Sequence, residues 1–146
     1  MIGNEIVVAA RGWIGTPYLH QASVKAAGAD CLGLLRGVWR EVYGHEPELV
    51  PAYTPDWSEP ARDEVLWRGA ARHLRAKPLS DAAPGDVVLF RMHIRAVAKH
   101  LGITGSVGVA ASFIHAYSRH GVVESPLSAP WARRIVARFE FPERNA

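Results

Sequence analysis

The stretch that decides the fold is GADCLGLLRGVWREVYG, residues 28–44, which contains the only cysteine of this 146-residue chain. Apolar side chains recur there at the spacing of one helix face, at Cys31, Leu34, Leu35, Val38, Trp39 and Val42. This continuous stripe predicts a helix that packs on a core. Asp30 precedes the stripe as a preferred N-cap residue, and Gly44 follows it where a glycine commonly ends a helix.

Cys31 falls at the first position of this predicted helix. The unpaired N–H groups and the positive end of the helix dipole lie at that position, and both favour a thiolate. We therefore expect the pKa of Cys31 to lie below the usual value of about 8.5. The alternative is a buried structural cysteine, because cysteine is among the most buried residue types and Cys31 lies on the apolar stripe. A single cysteine excludes an internal disulfide, and the pattern leaves both roles open.

The first half of the chain has mainly helical patterns. With 49% hydrophobic residues, the length suits one globular domain, and we predict a single domain over residues 1–146. A helix is predicted at residues 4–13, and a proline-rich extended loop at residues 46–60. A second amphipathic helix is predicted at residues 60–75, with its inward face formed by Val65, Leu66 and Leu74.

The second half of the chain predicts short strands. A Pro-Gly-Asp turn at residues 84–86 leads into the buried run VVLF at residues 87–90. Further strands are predicted at residues 100–103, 112–117, 121–124 and 135–141. In the last of these, a period of two places on one face Ile135, Ala137, Phe139 and Phe141. Helices followed by short, antiparallel strands are typical of the α+β class.

A nucleophilic cysteine needs a base, and two of the seven histidines lie in predicted strands. His100 opens one strand, and His115 lies inside the next, on the same face as Phe113 and Tyr117. If both face the start of the cysteine helix, the three residues fit a papain-like Cys-His-His arrangement. His100 would take the thiol proton, and His115 would hold the His100 ring and stabilise its charged form. Taken alone, each histidine fits a structural role better than a catalytic one.

The composition disfavours several other classes of protein. The net charge is only +3, and we expect basic side chains such as Arg133, Arg134 and Arg138 on solvated faces. No basic run with interleaved aromatic residues predicts a nucleic-acid partner. The sequence contains no HExxH or CxxC motif, so we predict neither a metal nor another cofactor. The apolar run IVVAA, residues 6–10, is too short for a signal peptide or a membrane span, so we expect synthesis in the cytoplasm without membrane insertion.

Five motifs occur in order along the chain: GTPY at residues 15–18, DCLGL at 30–34, PGDVVLF at 84–90, HLGI at 100–103 and FIHAYS at 113–118. Together they resemble the NlpC-type cell-wall cysteine peptidases. The resemblance implies a papain-like α+β fold, with N-terminal helices packed on a small antiparallel sheet. It also implies cleavage of amide bonds in peptidoglycan stem peptides, with Cys31 as nucleophile, His100 as base and His115 as the polar third residue.

The same resemblance implies two residues that bind substrate. Tyr18 falls where the family's loop tyrosine lines the site beside the cysteine, and its hydroxyl would help to hold the oxyanion. A packed aromatic residue after a turn is the alternative. Asp30 falls where the family binds the free amine of the stem peptide, a role compatible with the N-cap. Leu32 replaces the family's usual serine, which removes a hydroxyl near a substrate subsite and affects the stem-peptide preference.

Four further segments resemble the phage-derived branch of this family, found in tail modules of prophages and gene transfer agents. They are RGVWREVYG at residues 36–44, PAYTPDWSE at 51–59, HGVVESPL at 120–127 and PWARRIVARFEFP at 130–142. This branch implies tail hub or baseplate proteins as partners, and incorporation into a phage-like tail particle that opens the recipient's cell wall.

Two other hypotheses fit the sequence. In the first, the protein is a structural tail or adaptor component with a vestigial peptidase site, and the proline-rich loop with Trp57 is a docking surface. In the second, the same nucleophile performs acyl transfer on a lipid or another amide. No membrane-facing amphipathic segment in the sequence supports this last hypothesis.

Overall fold

The computed structural model describes residues 2–54 and 64–144. The helices are α1 (Ile2–Arg11), α2 (Cys31–Tyr43), α3 (Val65–His73) and α4 (Ala129–Ala132), with a short 3₁₀ helix at Gly108–Ala110. The strands are β1 (Ser23–Val24), β2 (Gly28–Ala29), β3 (Arg75–Lys77), β4 (Val87–Phe90), β5 (His100–Thr104), β6 (Ser112–Tyr117), β7 (Gly121–Pro126) and β8 (Ile135–Glu140). Within the two described ranges, no helix is both long enough and apolar enough to cross a membrane.

Six strands form one antiparallel sheet in the order β3-β8-β4-β5-β6-β7, and β1 and β2 form a separate small hairpin. Strand β7 lies at one edge, whereas β8, which follows it in sequence, lies between β3 and β4. The segment that joins β7 to β8 must therefore cross β6, β5 and β4. This segment contains α4.

The two faces of the sheet are covered differently. On one face, the main core joins helical side chains such as Ile6, Leu34 and Val38 to strand residues such as Leu101 and Ile114. On the other face, a smaller cluster is formed by Val88, Phe90 and Phe113, against which pack the partly buried Met92, Leu127, Trp131 and Ile135. The architecture is the predicted α+β arrangement, with N-terminal helices on an antiparallel sheet.

Helix α2 begins and ends where its sequence predicts. Asp30 has extended backbone angles, and its side chain accepts a hydrogen bond from the amide of Gly33 at 2.7 Å, which makes it the N-cap. Gly44 ends the helix in the left-handed conformation, with φ of 87°, which glycine adopts without strain. Gly37 allows the ring of Trp13 to lie against the helix, since a Cβ at that position would be 2.0 Å from the ring.

The other predicted helices are present with different ends. Helix α1 spans Ile2–Arg11 instead of residues 4–13. Helix α3 ends at His73, two residues early, because Leu74 is extended and Arg75 begins β3, which pairs with β8. Its predicted start at Pro60, like Trp57, lies outside the described residues. All of the predicted strands are present.

The predicted face of β8 is wrong at Ile135. The pairing register of β4 with β8 shifts between Leu89 and Phe90, so that Leu89 lies opposite Ala137 and Phe90 opposite Ile135. This β-bulge places one extra residue in β8. As a result, Ala137, Phe139 and Phe141 pack in the main core, whereas Ile135 packs against the smaller cluster on the other face.

The expectation of a solvated Arg138 is also wrong. Its side chain is only 5% exposed, and Nη1 lies 3.0 Å from Oδ2 of Asp86, which is buried as well. Lys77 contacts the other carboxylate oxygen of Asp86 at 3.1 Å. The Asp86 carboxylate thus balances the positive charges of Arg138 and Lys77, which are both buried by folding.

Candidate active site

Cys31 is the first residue of α2, and its side chain belongs to the main core with 7% exposure. Its Sγ lies 4.0 Å from the carbonyl oxygen of Lys99, its hydrogen-bond acceptor, and accepts a hydrogen bond from the amide of Leu101. These two peptide groups flank His100. Strand β5 pairs with β6 only from Ile103 onward, which leaves the backbone around Leu101 open to the thiol.

The predicted direction of the Cys31 pKa is wrong. Burial raises the pKa of the thiol from 9.0 to about 12, and the neighbouring carboxylate of Asp30 raises it further. The amides of Leu101, Leu32 and Cys31 itself lower it, as expected at a helix start, but burial outweighs them. The thiol is therefore protonated at neutral pH.

His100 and His115 lie on the adjacent strands β5 and β6, and their rings are in direct contact as predicted. Nε2 of His100 lies 2.8 Å from Nδ1 of His115, and Nε2 of His115 lies 3.0 Å from the hydroxyl of Ser125 on β7. His115 is fully buried, whereas His100 is partly exposed. One imidazole of the pair is thus anchored inside the protein and the other reaches the surface.

Both imidazoles are neutral at neutral pH. Burial, followed by the neighbouring His115, lowers the pKa of His100 from 6.5 to about 3. Burial, followed by His120, lowers the pKa of His115 from 6.5 to about 4. The expectation that His115 stabilises a charged His100 during the reaction stays a prediction, because both rings are neutral in the free protein at neutral pH.

Two contacts of the histidine pair were not identified from the sequence. Ser125 lies opposite Phe113 across the hairpin of β6 and β7, on the same face as His115. The three-residue turn between Tyr117 and Gly121 would have indicated this register. Trp131 lies in α4 with its ring centroid 5.8 Å from that of His100 and 5.3 Å from that of His115. No local sequence pattern indicates this second contact.

Asp30 is the centre of a hydrogen-bond network at the start of α2. Besides Gly33, its carboxylate accepts hydrogen bonds from the amide of Gln21, at 2.7 Å, and from the hydroxyl of Tyr53. Nδ1 of His20 lies 3.7 Å from Oδ2, and Asp30 is only 3% exposed. The predicted N-cap is confirmed, and Tyr53 adds a tertiary contact from the 46–54 loop.

The phenol of Tyr18 is affected by the charges of both Cys31 and Asp30. Burial, and then the charges that Cys31 and Asp30 carry when ionised, raise the pKa of its phenol to about 12. The hydroxyl therefore remains protonated, and it makes no hydrogen bond with any residue in the described ranges. It keeps a proton that it can donate.

A cavity of about 640 Å³ lies along α2 and is lined by sequence neighbours of the site residues. Its lining includes Leu32, next to the cysteine, and Leu101, next to His100, together with Tyr53. Farther along, α2 contributes Leu35 and Trp39. Leu32, which stands where the resemblance implies a serine, thus adds apolar surface to this cavity.

A comparison with protein-family models supplies the identification. The model of the NlpC/P60 family matches residues 15–139, most of the chain. This chain belongs to the NlpC/P60 family. The match confirms the family indicated by the five motifs and, with the observed architecture, the papain-like fold. A comparison with curated proteins gave no match.

Solved NlpC/P60 structures share the fold. The NlpC/p60 domain of the peptidoglycan hydrolase SagA superposes with a TM-score of 0.64 at 22% identity, covering 95% of this chain and 98% of that domain. A protein similar to lipoprotein, of the NLP/P60 family, from Staphylococcus aureus Mu50 gives 0.63 at 17%, covering 97% of this chain. An NLPC/P60 family protein from Bacillus cereus ATCC 10987 gives 0.65 at 15%, covering 95%. This chain spans only 42% and 40% of the last two.

Proposed function

We propose that this NlpC/P60 protein is a thiol peptidase that cleaves amide bonds in peptidoglycan stem peptides. The observation that carries the proposal is that the Cys31 thiol contacts the peptide groups on both sides of His100, whose ring is hydrogen-bonded to the buried His115. Family membership supports a cell-wall substrate, and the related SagA domain comes from a peptidoglycan hydrolase.

One tautomer of the histidine pair makes His100 a base. If Nε2 of His100 carries a proton, it donates to Nδ1 of His115, and Nε2–H of His115 then donates to the Ser125 hydroxyl. Nδ1 of His100 is left with a free lone pair that accepts the thiol proton. His115 and Ser125 act in this scheme as positioning residues, because they fix the ring and its tautomer without touching the substrate.

The reaction is a two-step acyl transfer. As His100 takes the Sγ proton, sulfur attacks the carbonyl carbon of the amide, and the tetrahedral intermediate collapses when His100 returns that proton to the leaving amine. The product is a thioester on Cys31. Water then attacks the thioester, His100 accepts a proton from the water, and the proton returns to sulfur as the carboxylic acid leaves.

Proton transfer and attack are coupled in this mechanism. A protonated thiol with a pKa of about 12 beside a neutral imidazole with a pKa of about 3 does not form a stable ion pair in the free enzyme. The negative charge must therefore pass quickly to the carbonyl oxygen of the substrate. The Tyr18 hydroxyl is the candidate donor for this oxyanion.

Substrate selection follows from the two residues beside the cysteine. The carboxylate of Asp30 is the candidate for the free amine of the stem peptide, and the Tyr53 hydroxyl would share that carboxylate with the ammonium group. Leu32 contributes apolar surface where a serine would contribute a hydroxyl. We expect a preference for stem peptides with an apolar group at this position.

The biological setting that we propose is a phage-like or gene-transfer-agent tail, in which the enzyme opens the recipient's cell wall. Support comes from the four segments of tail-branch resemblance. In this setting, a tail hub or baseplate protein is the partner. Co-purification of the protein with tail particles, detected by mass spectrometry, tests this part of the proposal, and its consistent absence from purified particles would contradict it.

The peptidase activity is tested by digestion of purified peptidoglycan and mass spectrometry of the released fragments. We expect wild-type protein to release stem-peptide fragments, Cys31→Ala to release none, and His100→Ala to lose about 10²- to 10⁴-fold in rate. His93→Ala is the matched control, because His93 is exposed and lies outside the site. Full activity of folded Cys31→Ala would rule out the mechanism.

A vestigial site in a structural tail protein is the second candidate. The observation that favours it is the buried, protonated thiol, which is what an unreactive cysteine would show. Alkylation of Cys31 by iodoacetamide separates the two candidates. If His100 is a working base, His100→Ala slows alkylation at pH 7, whereas in a vestigial site the wild-type and variant rates are the same.

A further inference from the structure

The segment between β7 and β8 has a fixed path over the sheet. It must cross β6, β5 and β4. It does so on the face opposite α2, because Leu127 and Trp131 pack on the smaller cluster. Both ends are anchored by main-chain hydrogen bonds of 2.8 Å, from the amide of Leu127 to the carbonyl of Ala111, and from the amide of Arg91 to the carbonyl of Arg134. The short helix α4 is therefore held in one position above the strands.

Trp131 is the residue of α4 that covers the histidine pair. Its ring centroid lies 5.1 to 5.8 Å from five aromatic rings below it, those of Phe90, His100, Phe113, His115 and Tyr117. Phe113 and Tyr117 contact His115 at 4.2 and 5.3 Å. The His115 ring is thus enclosed on three sides by aromatic rings and is fully buried, although Trp131 itself is partly exposed.

Packing is what fixes the ring of His100. In the described ranges its only hydrogen-bond partner is His115, and a ring held by one hydrogen bond is free to turn about its broad terminal torsion. Phe90, Tyr117 and Trp131 lie around the ring and restrict that rotation. Of these three, Phe90 belongs to the sheet and is fully buried, whereas Trp131 belongs to the crossing segment.

We propose that Trp131 is a positioning residue: its indole holds His100 and His115 in the rotamers that share a hydrogen bond, and keeps water from both rings. The inference rests on the proposed function, since it assigns the indole a role in orienting the base. Hydration favours the charged form of an imidazole, so removal of the indole makes protonation of the pair easier.

The charged and titratable groups near the histidine pair do not exclude water from the two imidazoles as the Trp131 indole does. The elements packed around it contribute the titratable or charged side chains Cys31, Lys99, Tyr117, His120, Arg91, Arg133 and Arg134. Arg91 is paired with Glu64, and His120 stacks on Tyr117. Glu124 of β7 lies opposite Ile114, on the other face of the sheet, and pairs with Arg11. Cationic neighbours oppose protonation of the pair in wild type and in the variants alike.

The test compares Trp131→Ala with Trp131→Phe and with Leu127→Ala. Leu127 packs against the same apolar cluster without a ring contact to either histidine, so it controls for lost packing. The first readout is the imidazole titration of His100 and His115 by NMR from about pH 2 to 8, a range that includes the wild-type pKa values of about 3 and about 4. The second readout is the pH profile of kcat and KM on a defined stem peptide.

We expect Trp131→Ala to raise the pKa of both imidazoles, to move the acid limb of kcat to higher pH and to lower kcat at least about tenfold with little change in KM. Trp131→Phe should restore most of the activity, and Leu127→Ala should keep the wild-type titration. An unchanged titration in folded Trp131→Ala, or an equal shift in Leu127→Ala, overturns the inference. The NMR readout needs no turnover, so a wild-type protein without activity contradicts the proposed function separately.

Discussion

Nε2 of His100 and Nδ1 of His115 are 2.8 Å apart, in a site where neither ring is charged at neutral pH. The nearby thiol is also neutral. In the proposed mechanism these three groups share one proton during the reaction, and no ion pair forms beforehand. This arrangement differs from a thiolate stored beside an imidazolium, and the difference can be measured.

Alkylation of Cys31 should become faster with rising pH from about 7 to 10. The thiolate is the reactive form, and a thiol with a pKa of about 12 supplies more of it as the pH rises. Iodoacetamide labelling followed by mass spectrometry measures the rate. A rate that is already maximal near pH 5 would show a stored thiolate and contradict this prediction.

Stability should be lost at both ends of the pH range. The pKa values of His100 and His115 are lowered on folding, so the unfolded chain binds more protons between about pH 6.5 and 4, and stability falls as the pH drops through that window. The pKa of Cys31 is raised on folding from 9.0 to about 12, so stability falls as the pH rises through that window. Urea unfolding at each pH measures both limbs, and Cys31→Ala should flatten the alkaline limb. An unchanged alkaline limb in that variant would contradict the assignment to Cys31.

Tyr18→Phe should lower kcat by about 10²-fold, the usual scale for removal of one oxyanion donor, while the fold is retained. The phenol is half-buried beside the thiol and has no hydrogen bond within the described ranges, so phenylalanine leaves no polar partner unpaired. Steady-state kinetics on a defined stem peptide measures the effect. Wild-type kcat in this variant would assign Tyr18 to packing alone.

Gly33→Ala should destabilise the protein by about 1–3 kcal/mol, the usual cost of overpacking. A Cβ at this position would lie 1.8 Å from the carbonyl oxygen of Ala22, in the segment that leads from Gln21 to β1. Gly69→Ala in α3 is the matched control, since the nearest atom to its Cβ is a guanidinium nitrogen of Arg72 at 3.6 Å. Because alanine favours a helix over glycine, that variant should be stabilised by about 0.5–1 kcal/mol. Chemical denaturation gives both values, and equal effects of the two substitutions would contradict the argument.

Asp86→Ala should destabilise the protein by about 3–5 kcal/mol, because it leaves two buried cations facing each other without a counter-charge. Arg138 and Lys77 contact the two oxygens of that carboxylate. Glu48→Ala, which breaks exposed contacts with Arg72 and His73, should cost far less. The midpoint of urea unfolding compares the two variants, and similar losses would show that burial of the Asp86 cluster carries no special cost.

Features set by short-range chemistry could be predicted from the sequence. The start and end of α2 follow from Asp30 and Gly44, and the neighbouring positions of His100 and His115 follow from two consecutive strands joined by a short connection. The pKa of Cys31 could not be predicted, because its dominant cause is burial, and the contact residue Lys99, just before β5, is 68 positions away.

Long-range contacts explain the other differences. In the sequence, Arg138 has no feature that separates it from a surface arginine. Its partner Asp86 lies 52 residues earlier, and only the fold places the two side chains in contact. Ile135 changes face because of a bulge that depends on its pairing with β4. Tyr53 and Trp131 lie in connecting segments, where the sequence has no periodic pattern that predicts the direction of a side chain.

The Cys31 thiol and the backbone carbonyl of Lys99 are 68 residues apart in the chain, and the Tyr53 hydroxyl and Asp30 are 23 apart. Contacts of such high sequence separation form late and slowly, since closing each long loop costs entropy before the contact repays it. A nascent chain that has emerged only as far as α3 carries the cysteine helix without His100, the proposed base. The proposed peptidase activity therefore needs the completed fold, and its appearance during refolding would time the last step of assembly.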